Sequence, residues 1–343
     1  MHVYERLCFA DTFENFLAGK FNTTKRFGLD GGEAVVPALK AAIDRASEMG
    51  AHSFIFGMPH RGRLNVLANV MRKPMPLIFK EFQGTHYNVE DHLKVADETD
   101  DHWSMSGDVK YHLGTSMDRT YPDGRRVHLS LVANPSHLEC VNPLVVGKAR
   151  AKQFYAGNRA EDVKKVVPIL LHGDAAFAGQ GIVYETMQMA GVQDFNVGGT
   201  IHVVVNNQIG FTTNPINSRS TPYCSDIGKA FNCPIFHVNG DDPLAVTNAL
   251  ETAVEWRHEW GTDVIIDMVC YRRNGHNELD QVSARTAKRL RVQRALRSAP
   301  SSIPAPLVHT VSVALVLTVL CCFAAALHAA EAVPGDRQAP VDA

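Results

Sequence analysis

The chain has 343 residues, of which 45% are hydrophobic and 20% charged, with a formal net charge of -2. That balance suits a globular chain with a sizeable core, about two domains by length alone, and it gives no electrostatic reason to expect nucleic acid or an anionic membrane as a partner. The seven cysteines form neither a CxxC pair nor a zinc-type spacing, which excludes a secreted disulfide framework and points to a reducing compartment. The first twenty residues lack a continuous apolar run and carry Glu5, Asp11 and Glu14, so they read neither as a secretory signal nor as a transit peptide.

In chain order, residues 33–50 predict an amphipathic helix stopped near Gly50. Residues 53–58 predict a buried strand and 127–134 another. Residues 166–173 predict a third strand, followed by a helix through 183–191. Strands are then expected over 200–207 and 234–238, a helix over 243–260 with Pro243 in its first turn, and a last strand within 263–273. Strands rich in Val and Ile, separated by helices, predict an α/β fold, a doubly wound and mostly parallel sheet covered on both faces. Ligands of such sheets bind at the carboxyl ends of the strands. Residues 1–280 therefore read as one domain. Beyond it, 281–306 is basic and then rich in Ser, Pro and Ala, and 307–330 contains no Asp, Glu, Lys or Arg and is long enough to span a bilayer as a helix. Residues 331–343 read as a disordered tail.

Two of the strand ends carry chemistry. The strand 166–173 runs into Gly173, Asp174 and Ala175, and a glycine-rich turn follows that holds Gln180. The strand 200–207 ends in Asn206, Asn207, Gln208 and Ile209. A carboxylate (Asp174), a carboxamide oxygen (Asn207) and a main-chain carbonyl (Ile209) at neighbouring strand ends suit Mg2+ shared with phosphate oxygens. Small residues beside them let main-chain N–H groups approach the phosphates. The same pattern also fits an ordinary surface turn with Asp as a helix cap. His60 lies between a strand end and Arg61 and Arg63, a plausible anion site. On its alternating strand, His128 fits a satisfied core histidine as well as a ligand contact.

GDAAFAGQG followed by VVVNNQIGFTT resembles the thiamine diphosphate motif in the form used by 2-oxoglutarate dehydrogenases, with Ala175 where the family often has Gly. KRFGLDGGEAVVPALK, GMPHRGRLNVL, SGDVKYHLGTS, VHLSLVANPSHLE, RSTPYCSDIGKA, PIFHVNGDDPLAV and DMVCYRRNGHNELD are similar to the same family, so the resemblance is continuous from about Val3 to Asp280. It implies a thiamine-diphosphate-binding fold and oxidative decarboxylation of 2-oxoglutarate in the tricarboxylic acid cycle, with succinyl transfer to a lipoyl group. The related 2-oxoadipate dehydrogenases share many of these motifs. By resemblance, thiamine diphosphate is bound through Gly173, Asp174, Ala175, Gln180, Asn207 and Ile209, with Mg2+ on Asp174, Asn207 and the Ile209 carbonyl. His60, His112, Ser116 and His128 face the substrate and His276 lies on the cofactor side. The resemblance further implies a lipoyl-bearing succinyltransferase partner, a homodimer in the full-length enzyme, and the mitochondrial matrix or the bacterial cytoplasm.

After Asp280 the family pattern stops. The expected second α/β domain, which carries the glutamate that activates the cofactor, does not follow, and the upstream docking segment is not seen. The expectation is therefore an incomplete form that does not turn over alone. The alternative is a catalytically inactive partner or decoy subunit, anchored in a membrane if 307–330 is a true span.

Overall fold

The computed structural model describes residues 2–83, 112–134 and 136–280. The expected segments 281–306, 307–330 and 331–343 lie outside the described residues. The helices are α1 (His2–Lys20), α2 (Val35–Glu48), α3 (Arg63–Asn65), α4 (Met75–Gln83), α5 (Val141–Tyr155), α6 (Ala160–Lys165), α7 (Asp174–Gly179), α8 (Gly181–Gln188) and α9 (Pro243–Trp260). The strands are β1 (Ser53–Gly57), β2 (Thr115–Thr120), β3 (Arg126–Leu131), β4 (Val166–Gly173), β5 (Ile201–Asn206), β6 (Ile235–Asn239) and β7 (Val264–Val269).

The strands form a seven-stranded sheet in the order β2-β3-β1-β4-β5-β7-β6. Of these ladders only the β2–β3 pair is antiparallel; the others are parallel. This is the doubly wound, mostly parallel α/β sheet expected from the Val- and Ile-rich segments.

Two-sided burial explains why the central strands read as continuous apolar runs. Phe54 and Phe56 of β1, Ile169 and Leu171 of β4, Val203 of β5 and Ile266 of β7 join one core with α1, α2 and α9. The alternating positions turn to the other face, where Ile55 and Leu170 pack with Val141, Val145 and Ala149 of α5. On the same side Val204 and Ile265 meet Phe177, Val183 and Met187. Caps fix the helix ends: the Asp242 carboxylate accepts from the Ala245 N–H at 3.0 Å at the start of α9, and left-handed Gly261 (φ 64°) ends it. Gly50 (φ 95°) lies just beyond α2, where the sequence places the stop.

Candidate active site

The sheet order reverses between β1 and β4. Outward from β1 the sheet adds β3 and then β2, and outward from β4 it adds β5, β7 and β6. Diverging connections open a crevice at such a point. A cleft lies there, walled by Pro59, His60 and Arg61 after β1, and by Gly173, Asp174 and Ala175 after β4. Asn207, Ile209 and Phe211 after β5 and Arg272 and His276 after β7 close the rest.

Asp174 is the first residue of α7, with Gly173 before it as cap, so the capping role open in the sequence falls to glycine. Asp174 is buried, at 3% exposure. Burial pushes its carboxyl up to about 6, against the pull of the Arg219 guanidinium. Asn207 is buried too, and its Oδ1 accepts from the Ile209 N–H at 3.3 Å in a local turn. Two non-glycine residues of this loop, Gln208 (φ 62°) and Phe211 (φ 54°), sit in the left-handed region. Their surroundings hold them there. The Gln208 N–H donates to Asn206 Oδ1 at 3.1 Å, and Gln208 Nε2 donates to the Cys270 carbonyl at 2.8 Å. The Phe211 carbonyl accepts from Arg272 Nη2 at 3.0 Å. Strain over-determined in this way is typical of ligand clamps.

A Cβ built on Gly173 meets none of the described residues within 4 Å, so the turn after β4 faces open volume. One built on Gly210 lies 2.6 Å from the Ala175 Cβ, so the two turns approach as closely as Ala175 permits. Arg61 and Arg272 supply positive charge, and burial lowers the Arg272 guanidinium to about 10, leaving it charged at neutral pH. Among the described residues no cluster of three or more His, Cys, Asp or Glu forms a metal cage. A cation here would take one carboxylate, amide and main-chain oxygens, and phosphate, which is the donor chemistry of Mg2+.

The histidines form the opposite wall. The rings of His60 and His276 lie 5.8 Å apart and nearly perpendicular. Phe27 packs on His60 at 4.2 Å and Phe211 on His276 at 4.6 Å. Burial first, then Arg61, holds His60 down to about 3 and His276 down to about 4, so both are neutral at pH 7. His112 is close enough to add its repulsion to His60 and is half-buried. It does not line the cleft itself.

Other expected residues stand apart. Ser116 is exposed on β2 and donates to Ser130 Oγ at 3.2 Å. His128 pairs with Asp118 across the β2–β3 ladder, Nδ1 to Oδ1 at 2.7 Å. Gln180 joins α7 to α8, half-buried. None of the three lines the cleft.

Two further lining residues are Arg61, which the sequence marked only as a neighbour of His60, and His172, which it did not mark. Arg61 donates to the Gly28 carbonyl at 3.1 Å and to the His276 carbonyl at 2.5 Å. Glu278 straps the same two segments together, accepting from the Arg26 and Gly28 N–H groups at 2.8 and 2.9 Å. His172 lies in the floor and heads a buried chain. Its Nδ1 is 2.6 Å from Glu139 Oε2, its Nε2 is 3.0 Å from His202 Nδ1, and His202 Nε2 is 3.5 Å from Asp263. The sequence signal was a pair of histidines in phase on adjacent, otherwise apolar strands.

A family model described as "Dehydrogenase E1 component" matches residues 5–303. The chain is 55% identical over 279 residues to the mitochondrial 2-oxoglutarate dehydrogenase of Dictyostelium discoideum, covering 81% of this chain and 26% of that protein. It is 53% identical over 281 residues to the mitochondrial 2-oxoglutarate dehydrogenase of Schizosaccharomyces pombe, covering 82% and 26%. With the 2-oxoglutarate dehydrogenase E1 component of Brucella anthropi the identity is 54% over 288 residues, covering 82% and 28%. The chain thus spans about a quarter of the length of the curated relatives it matches. That family model covers most of the chain, and so the chain belongs to the dehydrogenase E1 component family.

Proposed function

We propose that this chain is the diphosphate- and Mg2+-binding part of a 2-oxoglutarate dehydrogenase, which decarboxylates 2-oxoglutarate and passes the succinyl group to a lipoyl group. The family depends on thiamine diphosphate. The observation that carries the reading is the meeting of Asp174, Asn207, His60 and His276 at four strand ends in one cleft. The three relatives quoted are named for 2-oxoglutarate, which favours it over 2-oxoadipate.

In this reading Asp174, the Asn207 amide oxygen and the Ile209 carbonyl hold Mg2+. Gly173, Ala175 and Gln180 belong to the turns around the diphosphate, and Arg61 adds charge. Thiamine diphosphate, when bound, supplies the carbanion-stabilising centre for loss of carbon dioxide. His60 and His276, neutral at pH 7, donate N–H to the substrate carboxylate or to the 2-oxo oxygen as charge develops there. His112 stands behind His60. Ser116 and His128 reach the substrate only if the edge pair β2–β3 contributes to its entrance. Phe27 and Phe211 pack against the two imidazoles and limit the water around them, which strengthens those donors. The expected partners are a lipoyl-bearing succinyltransferase and a second copy of the full-length enzyme, in the mitochondrial matrix or the bacterial cytoplasm. The membrane-anchored alternative rests on 307–330, outside the described residues. Among the described residues no helix is long and apolar enough to cross a membrane.

Calorimetric titration of the chain with thiamine diphosphate, with and without Mg2+, tests the reading. The expected result is Mg2+-dependent binding that Asp174→Ala abolishes. No binding at millimolar cofactor, or binding indifferent to Asp174, rejects it.

A further inference from the structure

Arg219 occupies an unusual position beside Asp174. It follows the short 3-10 turn Pro215–Asn217 in the connection after β5, and its side chain is 12% exposed. Its Nη1 lies 3.7 Å from Asp174 Oδ2, inside the range of an ion pair but beyond that of a hydrogen bond. Nε and Nη1 are both buried with no hydrogen-bond partner among the described residues. Nη2 only grazes the Pro222 carbonyl, at 3.5 Å.

A buried guanidinium with unused donors is costly, and the cost is offset only when acceptors arrive. Asp174 is in the converse state, a buried carboxylate with a cation nearby but not in contact. A divalent ion on Asp174 would neutralise the carboxylate and repel the guanidinium. Arg219 does not itself line the cleft, but it lies 3.7 Å from Asp174, which does, and a diphosphate bound beside Asp174 would offer the planar, paired acceptors its fork fits. We propose that Arg219 stands in for the metal ion at Asp174 while the cleft is empty, and becomes a hydrogen-bond donor to the diphosphate when metal and cofactor enter. The proposal rests on the cofactor reading given above. It makes Arg219 a competitor of the metal and a ligand of the diphosphate, two roles with opposite signs.

The test uses the whole 343-residue chain and its Arg219→Gln and Arg219→Lys variants, with folding checked by circular dichroism. Calorimetry reads Mg2+ alone, then thiamine diphosphate at saturating Mg2+, both at pH 8. For Arg219→Gln, Mg2+ alone should bind about threefold tighter, the scale of a partly screened ion pair. Thiamine diphosphate should bind about tenfold weaker or more, the scale of a lost hydrogen bond to a charged group. Arg219→Lys keeps the charge and loses the fork, so Mg2+ alone should bind as in the parent and thiamine diphosphate more weakly. If Arg219→Gln does not fold, this lysine result decides alone. A merely structural arginine would loosen both ligands or neither, and either outcome overturns the proposal. A parent chain that binds neither ligand overturns the cofactor reading and the proposal together, whereas a parent that binds both while the variants match it overturns the proposal alone.

Discussion

Asp174 is held where a carboxylate is disfavoured. Its ordinary value is 3.8, and burial moves it to about 6 in the fold. A raised carboxyl favours the protonated form, so its contribution to stability is complete below about pH 4 and disappears as pH rises through about 6. Above that pH the ligand-free fold carries an ionised, buried carboxylate at a cost of up to about 3 kcal/mol, the free energy of moving its titration from 3.8 to about 6. Asp174→Asn should therefore stabilise the ligand-free protein at pH 8 by a large part of that amount and leave it unchanged at pH 4. Urea unfolding at the two pH values measures this; equal effects at both would remove the burial argument. On the proposed cofactor reading, the position trades stability for cation binding, as functional sites commonly do. Asp174 and Asn207 were legible in the sequence because a strand end followed by a glycine-rich turn is a local pattern. The division of labour between Arg61 and Arg63 was not. Gly62 between them is left-handed (φ 77°), and this sends the two side chains apart. Arg63 turns inward to the carbonyls of Met58, Leu113 and Val132. Arg61 is left to line the cleft. Which arginine turns inward depends in part on the Leu113 and Val132 carbonyls, 50 and 69 residues away in the chain.

At the scale of elements, the strands that are buried on both faces were readable, since every residue of β1 and β5 is buried. The edge strand β2 was not. Its sequence TSMDRT alternates between half-buried and exposed with a single buried residue, Arg119, so no apolar run marks it. Nor did α1 stand out, because only Ala10, Phe13 and Leu17 of its 19 residues are buried. What neither pattern reveals is how closely elements meet. The turns after β4 and β5 touch at Ala175 and Gly210, where an added Cβ would lie 2.6 Å from its neighbour. Gly210→Ala should cost about 1–3 kcal/mol, the usual penalty of overpacking, and should weaken thiamine diphosphate binding by displacing the Asn207–Ile209 turn. Adding Ala175→Gly removes the methyl it strikes, so the double variant should recover most of both losses. Thermal unfolding and cofactor titration of the single and double variants form the cycle. Additive losses would mean that the two turns do not press on each other.

Over the whole molecule, the cleft depends on segments that are remote in sequence. The walls come from four strand ends, yet the approach on the His60 side is closed by residues 26–30 lying against 272–278. Glu278 is the main strap, bonded to two main-chain N–H groups 252 and 250 residues away. Asn274 adds a bond to Asp30 at 2.8 Å, and Arg61 ties the Gly28 and His276 carbonyls. None of these elements belongs to the sheet, so the strap and the core should be separable in stability. Glu278→Ala leaves the Arg26 and Gly28 N–H groups without their acceptor and should cost about 1–3 kcal/mol locally. Amide exchange should then quicken at 26–30 and 272–278 while β1, β4 and β5 keep their protection. Because Phe27 packs on His60 and the strap positions Phe27, the same variant should weaken binding of a 2-oxo acid more than binding of Mg2+ alone. Uniformly faster exchange through the strands would instead mean that the strap and the sheet unfold as one unit, and that the histidine wall is as rigid as the core beneath it.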